Sequence, residues 1–164
     1  MGKLDGKVAV ITGGSSGMAL AGAKLFVVEG AHVFISGRRQ EALDEAVNLL
    51  GPNVTGVQAD SANLDDLDRL FDAVRREKAA VDVLWTSAGT GEERKLGEIT
   101  EQHFDDTFGL NARGTVSTLH CGCRETAPAG SQVRADEIDR GIRQGLAAQL
   151  PGLPGPAQPP QSRP

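Results

Sequence analysis

Four short apolar runs, Val8-Ala9-Val10-Ile11, His32-Val33-Phe34-Ile35, Val54 to Ala59 and Val81-Asp82-Val83-Leu84-Trp85, recur with a helix-length stretch after each. Runs of four to six residues without polar alternation are the pattern of strands covered on both faces. The stretches between them read as helices. Met18 to Glu29 has helical content and is stopped by Gly30 at a C′ position. Gln40 to Leu50 places apolar residues at 42, 43, 46, 47, 49 and 50 and is closed by Gly51-Pro52. Asn63 is a plausible N-cap for Leu64 to about Lys78, with acidic residues in the first turn. Thr100 can cap a further helix from Glu101 to about Leu119. Strands joined by crossovers of this length pair in parallel, and such crossovers are right-handed. The predicted architecture is therefore α/β, one half of a doubly wound parallel sheet.

Composition bounds the rest. The 164 residues are 39% hydrophobic and 24% charged, ordinary for a folded domain, and the formal net charge of −5 speaks against general nucleic-acid binding. No apolar run is long enough for a membrane span. The N-terminal residues Met1 to Gly6 lack the apolar segment of a secretion signal and the pattern for myristoylation. Two cysteines cannot make a disulfide framework, so a reducing, cytoplasmic location is expected. Composition also divides the chain. All five Phe and the single Trp lie at or before Phe108, seven of the eight Pro lie at or after Pro128, and no Lys follows Lys95. Residues 119–150 are expected to form a divergent segment with an amphipathic helix over 135–150, carrying Ile138, Ile142, Leu146 and Leu150 on one face. Residues 151–164 read as a disordered, Pro-rich tail.

The chemistry is concentrated in the turn Thr12-Gly13-Gly14-Ser15-Ser16-Gly17-Met18-Ala19, where the first strand gives way to a helix. Glycine lets the backbone bend sharply and approach a pyrophosphate, and the helix N-terminus offers unpaired N–H groups to it. With Thr12, Gly13 and Gly17 in the pattern T-G-x-x-x-G, and Ala19 where that pattern ends in a further Gly, the sequence resembles the short-chain dehydrogenase/reductase family. Thr86-Ser87-Ala88-Gly89 stands where that family has N-N-A-G, and the resemblance continues through Leu96 to Phe104 and Asn111-Ala112-Arg113-Gly114-Thr115, over about residues 4–118. It implies an incomplete Rossmann-like domain over 1–118, strand order 3-2-1-4, followed by a poorly structured tail. The implied cofactor-binding residues are Thr12, Gly13, Ser15, Ser16, Gly17, Met18, Asp60, Ser61, Ser87, Ala88 and Gly89, and Asn111 matches the asparagine of the family's catalytic tetrad. For Asp60, helix capping is an equally good reading.

Charge at the end of the second strand bears on which nicotinamide cofactor is implied. An acidic residue there binds the ribose 2′-hydroxyl of NAD, whereas arginine accommodates the 2′-phosphate of NADP. This chain has Ser36-Gly37-Arg38-Arg39, with no carboxylate before Glu41, which favours NADP(H) over NAD(H) through Arg38 and Arg39.

The resemblance implies an oxidoreductase acting on a carbonyl or alcohol, but the family's proton donor is a tyrosine assisted by a lysine four residues later. The chain contains no tyrosine. The catalytic serine has no counterpart either, and the substrate is unspecified. The family pattern breaks between Thr115 and His120, which fits a reading-frame or splice event, with a natural divergent tail as the alternative. The rival functional readings are a non-catalytic NADP-binding or interaction module and a non-functional fragment. The family is usually homo-oligomeric, and self-association or aggregation through an exposed edge at Val81 to Trp85 is expected. No metal is expected: His120-Cys121-Gly122-Cys123 lacks the further ligands to complete a site. His32 is expected in or beside the second strand and His103 on a helix surface.

Overall fold

The computed structural model describes residues 2–78 and 80–124; the segment 135–150 and the tail 151–164 lie outside the described residues. Strands β1 (Val8–Thr12), β2 (His32–Gly37), β3 (Val54–Gln58) and β4 (Val83–Thr86) form one parallel sheet in the order β3-β2-β1-β4. Helices α1 (Gly17–Val28), α2 (Gln40–Leu50) and α3 (Leu64–Lys78) are the crossovers between consecutive strands. The expected strand order and alternation are what the chain adopts.

Burial explains the uninterrupted apolar runs. Ala9, Ile11, Val33 and Ile35 point to one face and pack with Ala19 and Ala23 of α1 and Leu43 and Ala46 of α2. Val8, Val10, Phe34 and Leu84 point to the other and pack with Leu70, Phe71 and Val74 of α3. Every residue of β1 is buried.

The chain differs from expectation after β4. The helix expected from Glu101 to Leu119 is instead three segments: α4 (Glu101–Phe108), a wide π-helical segment Gly109–Gly114, and α5 (Thr115–Arg124). Thr100 caps α4 as foreseen, its hydroxyl accepting from His103 N at 3.2 Å. Small residues at every fourth position seat the remainder. A Cβ on Gly114 would lie 2.6 Å from the Ser61 carbonyl oxygen, and one on Gly122 would lie 2.3 Å from Leu84 Cδ2. Between them Thr118 is buried, its hydroxyl donating to the Gly114 carbonyl. Helix α5 thus covers the α3 face of β4. Along its outer edge β4 has no neighbouring strand among the described residues.

Strand β4 also begins two residues later than its apolar run. Asp82 interrupts it: one carboxylate oxygen takes Lys7 Nζ at 2.8 Å and the other takes Val8 N at 2.9 Å. Burial alone would raise the Asp82 carboxyl, but these two hydrogen bonds and the Lys7 charge outweigh it and hold the group below its ordinary value.

At the start of β2, His32 Nε2 lies 3.1 Å from Thr55 Oγ1, and that hydroxyl donates to Glu77 Oε2 at 3.0 Å. The hydroxyl proton is engaged by the carboxylate, so His32 donates to the hydroxyl from Nε2–H. Burial, followed by the Lys78 charge, pushes the imidazole below its ordinary value, against a smaller opposing pull from Glu77.

Both shifts act in the same direction. A histidine with a lowered folded pKa binds its proton more readily when unfolded, so stability is complete above about pH 6.5 and declines as pH falls from there toward the folded value. The Asp82 contribution is complete above about pH 4 and is lost as pH falls through its lowered folded value. Thermal melts should therefore show a lower Tm at pH 5.5 than at pH 7.5, and His32→Gln should narrow that gap. An unchanged gap would assign the acid sensitivity elsewhere.

Candidate functional site

All four strands run in parallel, so their C-terminal ends gather Thr12, Gly37, Gln58 and Thr86 along one edge of the sheet. Chain order reverses between β1 and β4, and ligands of open α/β sheets bind in the crevice outside such a reversal.

The glycine turn sits there. Gly13 and Gly17 have φ of +71° and +60°, a left-handed conformation that side chains rarely adopt. A Cβ on Gly13 would lie 3.0 Å from Ala88 Cα, so this glycine also permits the close approach of the loop after β4. Nothing stands within 4 Å of the Cβ position at Gly17, the first residue of α1. The N-cap Ser16 is extended and its side chain makes no capping bond, so it leaves first-turn N–H groups to another acceptor. Ala19, where the motif pattern has glycine, is buried and its methyl is accommodated. Beneath the loop, Gly14 N donates to the Ser36 carbonyl at 3.0 Å, while the buried Ser36 Oγ has no hydrogen-bond partner among the described residues. An open helix N-terminus and left-handed glycines together fit an oxygen-rich anion such as a pyrophosphate.

Thr12 ties the two walls of the crevice together. Its buried Oγ1 accepts from Ser87 N at 3.1 Å and from Ala88 N at 3.2 Å. The loop is held a second time by Asn111, whose Oδ1 accepts from Thr90 N at 2.9 Å and whose Nδ2 donates to Thr90 O at 2.7 Å. Gly89 lies against the same amide; a Cβ there would be 3.2 Å from Asn111 Oδ1. Asn111 lies within the π-helical segment. The wide turn thus carries the amide that grips the loop.

At the far side of the sheet edge, Arg38 and Arg39 are exposed at the end of β2, and neither guanidinium is paired with a carboxylate among the described residues. A Cβ on Gly37 would lie 2.9 Å from Ser15 Oγ, so glycine there lets the turn and β2 touch. Asp60 is engaged in the turn before α3: its Oδ1 accepts from Ala62 N at 2.9 Å, and its own N–H donates to Asp66 Oδ2 at 2.8 Å. Ser61 is buried against Gly114. A cleft of about 470 Å³ is bounded by Arg38, Asp60, Thr90, Leu110 and Arg113. The structure thus brings the sequence-derived residues to one edge, with Asp60 in the turn and Ser61 buried beside it. Sequence reasoning missed Gln58, whose Nε2 donates to the Arg38 carbonyl at 2.9 Å, and the loop partner Thr90.

His103 belongs to α4, 3.7 Å from Glu92 through its Nδ1. No group of three or more His, Cys, Asp or Glu side chains suited to a metal occurs among the described residues. No helix among those residues is long and apolar enough to cross a membrane.

Comparison with known proteins bears on this edge. The family model described as short chain dehydrogenase matches residues 7–133. An oxidoreductase of Sarocladium schorii, asL5, is 48% identical over 128 residues, covering 78% of this chain and 51% of that protein. The 3-ketoacyl-(acyl-carrier-protein) reductase from Brucella melitensis, solved with NADH, superposes with a TM-score of 0.73 at 30% identity, over 75% of this chain and 51% of that one. L-sorbose reductase from Gluconobacter frateurii, solved with NADPH and L-sorbose, gives 0.72 at 33%, over 76% and 49%. The chain spans about half the length of these proteins.

The double acceptor at Thr12 generates a prediction. Thr12→Val preserves shape but leaves the Ser87 and Ala88 N–H groups without their acceptor, at a cost of about 1–3 kcal/mol. Urea unfolding should show that loss, and amide exchange at 87 and 88 should accelerate more than exchange in β2. Unchanged protection at both amides would remove Thr12 from this role.

Proposed function

Because this chain belongs to the short-chain dehydrogenase family, we propose that it binds a nicotinamide dinucleotide along the C-terminal edge of its sheet and selects NADP(H) over NAD(H). The observation that carries the selectivity is the end of β2, where Arg38 and Arg39 stand in place of the carboxylate that would accept a ribose 2′-hydroxyl. Gly13, Ser15, Ser16, Gly17 and Met18 would hold the pyrophosphate at the start of α1. Asp60 and Ser61 would flank the adenine, and Thr12, Ser87, Ala88 and Gly89 would line the path toward the nicotinamide. The chemistry such a cofactor supplies is hydride transfer to or from a carbonyl or alcohol carbon.

The Arg38 guanidinium would make charge-assisted bonds to a 2′-phosphate, each stronger than a neutral hydrogen bond. Fluorescence titration of the intact chain should give tighter binding of NADPH than NADH. Arg38→Ala should weaken NADPH about 10- to 100-fold and leave NADH nearly unchanged. Equal affinity of the unaltered chain for both dinucleotides overturns the selectivity.

A second reading concerns turnover, and the composition favours it. Hydride transfer to a carbonyl needs a proton for the oxygen, and the 164 residues contain no tyrosine and no lysine beyond Lys95. Asn111, with both side-chain polar atoms on Thr90, acts as a positioning residue and not as an acid. We therefore propose that this chain by itself is a non-catalytic NADP-binding module. Incubation with NADPH and a panel of ketones and aldehydes should give no oxidation above background. Sustained turnover by pure protein refutes this, and the absence of both binding and turnover marks a non-functional fragment. The proposal further places the chain in the cytoplasm and takes the outer edge of β4 as its surface for self-association.

A further inference from the structure

We infer that Gln58 is a positioning residue for recognition of a ribose 2′-phosphate, acting through the main chain of Arg38. The inference rests on the proposed role of Arg38. Strands β2 and β3 are in register up to the pair Gly37 and Gln58, and the last backbone contact across them is Ala59 N to the Gly37 carbonyl at 3.1 Å. Beyond it β3 leaves the sheet: the next N–H, of Asp60, donates to Asp66 Oδ2. The Arg38 carbonyl therefore has no strand partner on β3, and the Gln58 side chain supplies the missing donor, Nε2 to O at 2.9 Å. A carbonyl oxygen only accepts, so the amide must present its NH₂ there.

The consequence falls on a short piece of chain. Arg39 is the N-cap of α2, with extended φ and ψ of −96° and 117°, so the peptide joining Arg38 to Arg39 sets how both arginines leave the sheet. On its N-terminal side, the Gly37 carbonyl accepts from Ala59 N at 3.1 Å. On its C-terminal side, Gln58 holds the carbonyl. The main chain of Arg38 is thus hydrogen-bonded on both sides at the rim of the cleft that the residue lines. Recognition of a tetrahedral phosphate by a planar guanidinium depends on orientation, and a pinned main chain removes freedom that binding would otherwise have to remove.

Gln58→Met keeps the length and neutrality of the side chain and removes the amide with its donor. The test titrates the intact chain, Gln58→Met, Arg38→Ala and the double variant with NADPH and NADH, and with adenosine 2′,5′-bisphosphate and AMP. Thermal melts confirm folding. Gln58→Met should weaken NADPH and the bisphosphate about fivefold, as expected for one neutral hydrogen bond, with NADH and AMP changed less than about twofold. In the Arg38→Ala background it should add nothing. A parallel loss for all four ligands would mean a merely structural role and overturns the inference, as does full additivity with Arg38→Ala. No preference for the 2′-phosphate in the unaltered chain removes the role proposed for Arg38 and the inference with it. A preference that Gln58→Met leaves intact removes the inference alone.

Discussion

The complete burial of β1 is the constraint from which the rest follows. A strand with no exposed face must have helices above and below it and strands on both sides, because each of its backbone groups needs a partner and each of its side chains an apolar neighbour. Val10 and Ile11 meet opposite faces of the sheet, and β2 and β4 flank the strand. Once this holds, the turn after Thr12 has one place to go, which is the edge where the neighbouring strands also end. The glycines there answer a demand that the buried strand creates: the chain must leave a crowded sheet, turn and begin a helix within five residues.

What was legible in the sequence is what local chemistry dictates. Helix α2 was read to the residue because its apolar period and Gly51 are local signals, and Asn63 announced α3 in the same way. The π-helical segment was not legible. Its long-range contacts are a pair of hydrogen bonds between Asn111 and a residue 21 positions away and the fit of Gly114 against Ser61. Nothing in the helical period around Asn111 signals either. The start of β4 was misplaced because Val81 reads as strand, whereas the long-range partners of Asp82, Lys7 and Val8, decide the register.

The candidate site divides along the same line. The turn 12–17 and the pair Arg38-Arg39 carry their chemistry in their residue types, so sequence sufficed to single them out. Gln58 was invisible because a polar residue at the end of a strand is unremarked until its partner is known, and that partner is a carbonyl, a group every residue has. A side chain that acts on a neighbour's main chain is less legible than one whose own residue type announces its chemistry.

Thr12 has a consequence for how order is distributed across the sheet. Its hydroxyl accepts two amides from the loop that leaves the edge strand, so the residue that opens the proposed anion-binding turn is bonded directly to the end of β4. Whatever steadies the turn steadies the strand, and by linkage whatever frays the strand weakens the grip of the turn by the same free energy. An occupied crevice would then act as a remote fastener for the border of the sheet, making the resistance of β4 to proteases and to unwanted pairing a function of ligand concentration.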